Sequence, residues 1–358
     1  MMTPRERVMA ALNHQRPDRL PRYDIFFPSF SDAWRQSKGL ADTADISEYY
    51  RIDIPAVRAN QNGPLWRQAV TRETGGDVYY VRDSWGRLRK HLHSAAFFEV
   101  VETAIADKQA LDRLAVSQPD DLPLAAVDDA FIRLAADPRF APVTGVMGLY
   151  MAGTWLRGEI PFMLDLMEDE AFCRDLIGKM EVFLSALGER MLTLTNTWDT
   201  AIWVYDDFSV NAGPLIGPAT FEKLFLEPYK RMFASWKSKG ARHIVLHHDV
   251  LSEHTYPILD MFIEAGLTGI QGVYPTAGLT LSAFKARYGR KLAVIGGIDN
   301  THTLPFGNRQ AIEHEAAAVM EAGQDGGVII GSHSIEEYIP VDHYEWYIST
   351  LDRIERSG

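Results

Sequence analysis

Cysteine is almost absent from this sequence, and Cys173 is its single example. One thiol excludes an intramolecular disulfide, and it equally excludes a metal site built from several cysteines. The small disulfide-stapled domains and the multi-cysteine zinc modules are therefore ruled out as classes for this chain.

Long apolar runs are also absent, since no stretch approaches the ~20 residues that a membrane-spanning helix needs. The first residues include Arg5, Glu6 and Arg7, which put charge where a signal peptide requires an apolar core. The sequence therefore predicts a cytoplasmic protein that has no membrane partner.

Basic clusters are missing as well, and the formal net charge is −12. A chain of this charge with no Lys/Arg-rich run is not expected to bind nucleic acid or an anionic membrane surface. Its 358 residues, 46% of them hydrophobic, can bury a large core. No linker or low-complexity segment marks a boundary, so we expect one domain over residues 1–358 that acts on a small molecule.

An amphipathic helix is predicted at the start of the chain. Thr3 is a suitable N-cap, and Pro4 suits the first helical position. Val8, Ala11 and Leu12 form an apolar stripe at helical spacing. We expect this short helix to pack on the outside of the main body.

The segment at about 63–100 has a different pattern from its surroundings. Two apolar stretches, 78–81 and 88–92, flank the turn sequence at 83–86. This arrangement predicts an antiparallel β-hairpin inserted beside the main fold. A decorative loop and a lid over a functional site are both open interpretations of it.

From residue 140 onward, apolar segments of about seven residues alternate with helical stretches, which is typical of βα units and a parallel sheet. Two earlier segments, 22–27 and 54–58, also have strand character. The later predicted strands are 142–147, 201–207, 242–249, 269–273, 292–299 and 327–333. Eight strands favour a closed (β/α)8 TIM barrel, an α/β fold, over an open doubly wound sheet. No dinucleotide-binding fingerprint follows any of them.

The strand at 242–249 ends in three side chains that can bind a metal or carry a proton, namely His247, His248 and Asp249. Side chains alternate across a strand, so His247 and Asp249 project from one face and His248 from the other. The active site of a barrel lies at the C-terminal ends of its strands, where these residues fall.

His247, Asp249 and His333 together have the ligand chemistry of a mononuclear metal site with an open position for substrate. The alternative is a pair of unrelated structural histidines with Asp249 capping the next helix. A non-haem iron triad also uses His-x-Asp and a distant histidine. Those ligands normally lie on an all-β scaffold, whereas strands and helices alternate here.

Other polar and aromatic residues follow the predicted strands. Asp206 and Asp207 end the fourth strand and are the predicted catalytic carboxylates. Aromatic side chains are more often core than substrate platform, and we expect about half of this group to line a pocket. The predicted substrate contacts are Tyr150, Trp155, Trp203, Tyr205 and Tyr274.

Several motifs resemble those of the uroporphyrinogen decarboxylase superfamily, in the order in which the family has them and over nearly the whole chain. They lie at 3–8, 13–21, 205–207, 214–218, 246–249, 295–299 and 335–340. The resemblance implies a (β/α)8 barrel. It leaves the reaction open, because the superfamily contains cofactor-free decarboxylases and zinc-dependent methyltransferases that exchange methyl groups with corrinoid proteins.

The two branches differ in their signatures. In the decarboxylase branch, an early Arg-Gln-Ala-Gly-Arg segment holds the carboxylates of the porphyrinogen. The comparable region of this chain, which resembles that family, is Phe-Phe-Pro-Ser-Phe at 26–30. This departure argues against a porphyrinogen substrate. The methyltransferase branch binds zinc through His-x-Cys and a later Cys. In that comparison His247 matches the His, Asp249 stands at the first Cys position, and His333 falls near the second.

Loss of both thiolates implies a more Lewis-acidic metal, suited to polarising a leaving oxygen rather than to activating a thiol. The resemblance, together with this change of ligands, implies a zinc-dependent methyltransferase of the O-demethylase type. It would move a methyl group from a small methoxylated or methylated compound to a corrinoid supplied by a partner protein. A decarboxylase or other lyase acting on a small organic acid, with Asp206 or Asp207 and His333 as acid and base, is one alternative. A non-catalytic binding protein is the other.

Overall fold

The computed structural model describes residues 1–55, 59–60, 62–73, 76–93, 98–121, 132–133, 135–273 and 279–357. The strands in these ranges, in chain order, are β1 (Arg22–Tyr23), β2 (Ala59–Asn60), β3 (Val70–Glu73), β4 (Val78–Arg82), β5 (Leu88–Leu92), β6 (Phe98–Glu102), β7 (Thr144–Met147), β8 (Ile202–Tyr205), β9 (Ser209–Val210), β10 (Gly213–Pro214), β11 (Ile244–His247), β12 (Gly269–Val273), β13 (Ala293–Gly297) and β14 (Val328–Gly331).

Eight of these strands form one parallel sheet in the order β1-β14-β13-β12-β11-β8-β7-β2. The order follows the chain, so each strand lies beside the next one, as right-handed βα units require. A parallel bridge between Tyr23 and Ile54, just before β2, joins the two remaining edges. The predicted (β/α)8 barrel is confirmed.

Helices connect the strands, and those that follow the first helix cover the outside of the barrel. In chain order they are α1 (Pro4–Leu12), α2 (Pro28–Lys38), α3 (Ile46–Tyr49), α4 (Leu149–Arg157), α5 (Glu159–Glu168), α6 (Glu170–Thr195), α7 (Pro218–Phe221), α8 (Glu227–Ser238), α9 (Tyr256–Ala265), α10 (Leu281–Tyr288), α11 (Thr303–Phe306), α12 (Arg309–Gly323) and α13 (Val341–Ser357). Within the described ranges, no helix is both long and apolar enough to cross a membrane.

The stretch 218–239 is not one continuous α-helix. A π-helical turn over Glu222–Leu226 separates α7 from α8. Pro228 lies in the first turn of α8, and its ring nitrogen has no hydrogen to donate. The normal helical hydrogen bond is lost there, and the wider π turn joins the two pieces.

The first helix lies at the end of the barrel rather than on its outside, which corrects the prediction. Thr3 and Glu6 form a reciprocal capping box at its start, as the N-cap pattern indicated. Its apolar residues Val8, Ala11 and Leu12 are buried against side chains that fill the barrel interior, such as Val245 and Ala293 and others at the strand starts. That apolar end would otherwise face water, and α1 closes it.

The predicted hairpin is present as β4 and β5, and it belongs to a larger antiparallel sheet in the order β3-β4-β5-β6. Its turn contains Gly86 at φ 76°, in the left-handed region that favours glycine. A side chain there would also collide with Ala104 and Leu65. Trp85, in the same turn, is buried and packs edge-on against Trp155 of α4. The tip of the inserted sheet is thus fixed to the barrel.

Candidate metal centre and adjoining cavity

Three potential ligands from two barrel strands converge at the C-terminal face. His247 is the last residue of β11, Asp249 follows it by two positions, and His333 follows the end of β14 by two. One donor atom from each residue lies within 4.8 Å of the other two. The barrel closure brings His333 beside the β11 end, although the two are far apart in the sequence.

Both histidines point their Nε2 atoms at the same oxygen of Asp249. The distance from His247 Nε2 to Asp249 Oδ1 is 3.3 Å, and that from His333 Nε2 is 3.0 Å. The two imidazole centroids are 4.9 Å apart. Donors at such separations can share one cation at bond lengths of about 2.0–2.2 Å. Two imidazoles and a carboxylate therefore fit a zinc ion in both geometry and ligand type.

Electrostatics favour the ligand forms of these side chains. Burial acts to raise the pKa of Asp249, but hydrogen bonds from His247 and His333 outweigh it and hold that pKa well below its usual range. Burial lowers the pKa of His247, partly offset by its hydrogen bond to Asp249. A carboxylate and a neutral imidazole are the species that bind a metal.

The neighbouring strands hold the histidines in place. Tyr205 and Gln271 are the register partners of His247 on β8 and β12, so all three side chains face the barrel interior. The Tyr205 ring lies 4.4 Å from the His247 ring. The Gln271 amide nitrogen is 3.2 Å from His333 Nδ1, which leaves Nε2 of that histidine directed at the cluster.

His248 lies on the opposite face of its strand, as the alternation predicts. Its Nε2 is 2.6 Å from the Ser209 hydroxyl, and its Nδ1 is 2.8 Å from the backbone carbonyl of Asp206. Its ring stacks on Phe208 at 4.1 Å. These contacts place His248 in the outer wall of the barrel and away from the ligand cluster.

The structure separates the two predicted catalytic carboxylates. Asp206 is fully buried and accepts hydrogen bonds from the Tyr229 hydroxyl and from the backbone of Met151, at the N-terminus of α4. Burial raises the pKa of Asp206 to about 6. Its carboxylate is engaged in holding α4 on the barrel.

Asp207 instead faces the C-terminal end of the barrel, where His247, Asp249 and His333 lie. Its Oδ1 accepts the backbone N–H of Asp249 at 2.9 Å, and so fixes the loop that carries this ligand. Burial, followed by the charge of Asp249, raises the pKa of Asp207 to about 7. Asp207 also lines an open cavity beside the ligand cluster.

This cavity, which we call the mouth cavity, has a volume of about 670 Å³, enough for a small substrate. Its walls come from α4, the start of α5, the loop after β8 and the inserted sheet. The lining residues are Arg87, Val100, Thr103, Tyr150, Met151, Thr154, Trp155, Gly158, Glu159, Ile160, Pro161, Asp207, Ser209, Val210 and Leu215.

The predicted substrate aromatics divide between this cavity and the core. Tyr150 and Trp155 line the mouth cavity. Tyr205 packs on His247, whereas Trp203 is buried in the barrel interior, 5.3 Å from the ring of Tyr23. Tyr274 lies outside the described residues. Alternation along β8 explains the buried position of Trp203. It precedes Tyr205 by two residues, so its side chain lies on the same face of the strand and deeper in the barrel.

A buried carboxylate that the sequence analysis missed supports the His333 loop. Asp24 follows β1 and accepts both the backbone N–H of Ser332 at 2.9 Å and its hydroxyl at 2.7 Å. It also accepts the Tyr344 hydroxyl at 2.8 Å. Ser332 directly precedes His333, so Asp24 helps to position that histidine.

Burial raises the pKa of Asp24 from 3.8 to about 6. The folded state therefore holds this proton more tightly than the unfolded state, and stability is lost as the pH rises from about 4 to about 6. In Asp24→Asn no ionisation occurs, and the amide can still bond Ser332 and Tyr344. We expect the stability of the variant relative to the native chain to increase by roughly 2 kcal/mol between pH 4 and pH 7. Urea unfolding at each pH measures this difference, and a pH-independent difference would contradict it.

Gln271 and Arg87 are further residues that the sequence analysis missed. Gln271 is a polar residue inside the apolar strand β12, and that contrast is a signal that could have identified it. Arg87 gives no such signal, because arginine is common in exposed hairpins. Only the docking of the inserted sheet brings Arg87 to the mouth cavity.

A closed parallel barrel with a His-Asp-His cluster at the C-terminal ends of its strands defines a (β/α)8 protein with a metal-capable site. Residues 180–354 match the family described as uroporphyrinogen decarboxylase (URO-D). This match agrees with the family resemblance that the motifs indicated. No curated protein sequence matches it.

One solved structure to which the chain is similar is that of a methyltransferase from Methanosarcina mazei. The two chains are 14% identical, the match covers 99% of each, and the TM-score is 0.62. At this identity the likeness establishes a common fold along the whole length of both proteins.

Proposed function

We propose that this protein is a metal-dependent methyltransferase that takes a methyl group from a small methoxylated or methylated compound. The observation that carries the proposal is the convergence of His247, Asp249 and His333 at the strand ends. Asp207, which bonds the Asp249 backbone, connects this cluster to a cavity with aromatic walls. The fold likeness to a solved methyltransferase supports the same reading.

His247, Asp249 and His333 would hold the metal, which we take to be zinc because two imidazoles and one carboxylate leave a coordination position open. When bound, such an ion supplies Lewis acidity toward an ether or carbonyl oxygen. Neutral imidazoles donate less charge than thiolates, which suits this chemistry better than activation of a thiol.

The other residues position and enclose the substrate. Asp207 fixes the Asp249 loop and presents its carboxylate to the mouth cavity. Trp155 contributes an aromatic ring to the cavity wall that suits a flat substrate, and the buried Tyr150 lines the same cavity. The same walls exclude water from one side of a bound substrate.

The proposed methyl acceptor is the reduced cobalt of a corrinoid held by a partner protein. This part of the proposal is supported by the superfamily, whose methyltransferases exchange methyl groups with corrinoid proteins. The choice of acceptor and the choice of donor are tested separately. Free reduced cobalamin replaces the protein-bound corrinoid, so the donors can be compared without the partner protein.

An anaerobic assay of metal-replete protein with a panel of methoxylated aromatics and methylated small molecules tests the function. We expect methylcobalamin to accumulate with at least one methoxylated donor, and a free thiol such as coenzyme M to be a poor acceptor. Formation of methylcobalamin is followed by its absorbance. No methylcobalamin from any donor would contradict the proposal.

The match to the decarboxylase family favours a second candidate, a lyase that acts on a small organic acid. Asp207 would then serve as the acid–base group, since its carboxylate lines the cavity. Carbon dioxide release from a carboxylated member of the same panel, without methylcobalamin, would support this candidate. Binding without turnover would instead support the non-catalytic alternative.

A further inference from the structure

Arg87 brings a positive charge, only partly compensated by Asp83, to the mouth cavity. It lies between the turn of the inserted sheet and β5, and only 9% of its side chain is exposed. It nevertheless lines the cavity, together with residues of α4 and the Asp207 loop. The inserted sheet is therefore part of the cavity wall and not a separate decoration.

The guanidinium group of Arg87 is held in a fixed position from two sides. Its Nε donates to Asp83 Oδ2 at 2.8 Å. Its Cζ lies 3.9 Å from the centroid of the Trp155 ring, within the range of a cation–π contact. Trp155 in turn packs edge-on against the buried Trp85 at 5.3 Å. The group is thus oriented before any ligand binds.

The two terminal nitrogens of Arg87 have no hydrogen-bond acceptor among the described residues, although arginine offers five N–H donors. Asp83 does not fully neutralise Arg87, because the Nε atom of Arg89 lies 3.4 Å from the same carboxylate oxygen. Burial lowers the pKa of Arg87 despite the opposing effect of Asp83, as expected for a cation with incomplete compensation.

Two other carboxylates line the mouth cavity, and neither forms an ion pair with Arg87 in the described part of the chain. Glu159 is exposed to solvent at the start of α5. Asp207 is bonded to the backbone of Asp249. The acidic side chains therefore lie on other parts of the cavity wall. The positive charge of Arg87 lies beside the aromatic ring of Trp155.

We propose that Arg87 binds the carboxylate of an aromatic monocarboxylate, whose ring packs in the mouth cavity beside Trp155. The planar fork of a guanidinium matches a carboxylate with two parallel hydrogen bonds. This inference rests on the proposed function for its identification of the cavity as the substrate site. It adds that the methyl donor is an anion with a methoxylated aromatic ring.

The test measures binding without turnover, by titration calorimetry of the purified full-length protein with 4-methoxybenzoate and with its neutral counterpart, 4-methoxybenzamide. We expect the carboxylate to bind at least about 10-fold more tightly than the amide. In Arg87→Gln this preference should disappear through weaker carboxylate binding. Arg87→Lys keeps the charge without the fork and should retain only part of the preference.

Arg89→Gln is the matched control, because it removes a charge beside the same Asp83 from a residue that does not line the mouth cavity. It should leave the affinity for the amide unchanged and weaken binding of the acid far less than Arg87→Gln does, because Asp83 then pairs with Arg87 alone. Thermal unfolding of each variant verifies that the Asp83 turn is intact. Equal affinity for acid and amide, no binding of the acid, or equal losses in the Arg87 and Arg89 variants would overturn the proposal.

The His247→Ala variant separates this inference from the proposed function. A carboxylate bound by a metal would lose affinity in that variant, whereas one bound by Arg87 keeps its preference over the amide. If the preference persists but no donor is demethylated, the anion site stands and the methyltransferase proposal fails. If demethylation occurs with amide and acid alike, the function stands and the anion site fails.

Discussion

Replacing His247 by alanine is expected to lower the affinity for a divalent metal by more than about 100-fold, because loss of even a partner of a metal ligand costs 10–100-fold. The variant removes one of three donors that lie within 4.8 Å of each other. Asp249 would then face His333 alone. Elemental analysis of protein purified without chelator gives the metal content, and titration with zinc gives the affinity.

His248→Ala is the matched control, since it removes the same side chain from the adjacent position. His248 bonds Ser209 and the Asp206 carbonyl and stacks on Phe208, so we expect this variant to lose stability but to keep its metal. Equal metal loss in the two variants would mean that the cluster does not bind the ion through the inner face of β11.

The second large effect is expected from Asp207→Asn, with a rate of methyl transfer up to about 100-fold lower and an unchanged metal content. The asparagine Oδ1 can still accept the Asp249 N–H, so the ligand loop should stay in place. The ionisable carboxyl group at the mouth cavity is lost, and with it the group that we propose to orient the substrate.

Glu159→Gln provides the comparison for Asp207, because Glu159 also lines the mouth cavity but is exposed and does not contact the ligand loop. We expect its rate to stay within a few-fold of the native rate. Single-turnover kinetics with metal-replete protein separate the chemical step from binding. A parallel loss of metal and rate in Asp207→Asn would reassign Asp207 to holding the ligand loop only.

The barrel itself was predictable because its strands are short apolar segments at regular spacing. Segments such as 244–247 and 328–331 are buried on both faces, which makes them nearly continuous apolar runs. Their bounds were less predictable, and β1 covers only Arg22–Tyr23 of the six residues expected. The ends of a strand depend on hydrogen bonds to the neighbouring strands, and the local sequence pattern carries no information about those bonds.

The convergence of His247, Asp249 and His333 was also within reach of the sequence. The face of His247 follows from alternation along one strand, and the C-terminal ends of barrel strands converge whatever their separation in the chain. The different roles of Asp206 and Asp207 were not predictable. They are adjacent in sequence, yet one holds the N-terminus of α4 and the other faces the mouth cavity.

The sequence by itself determined the fold class and the residues at the strand ends, because both depend on local periodicity and on the common geometry of parallel barrels. Only the tertiary structure decided that α1 closes the end of the barrel. It also decided that Arg87 reaches the mouth cavity. Each of these depends on how one element docks on another, and docking is set by the complementarity of two surfaces that lie far apart in the chain.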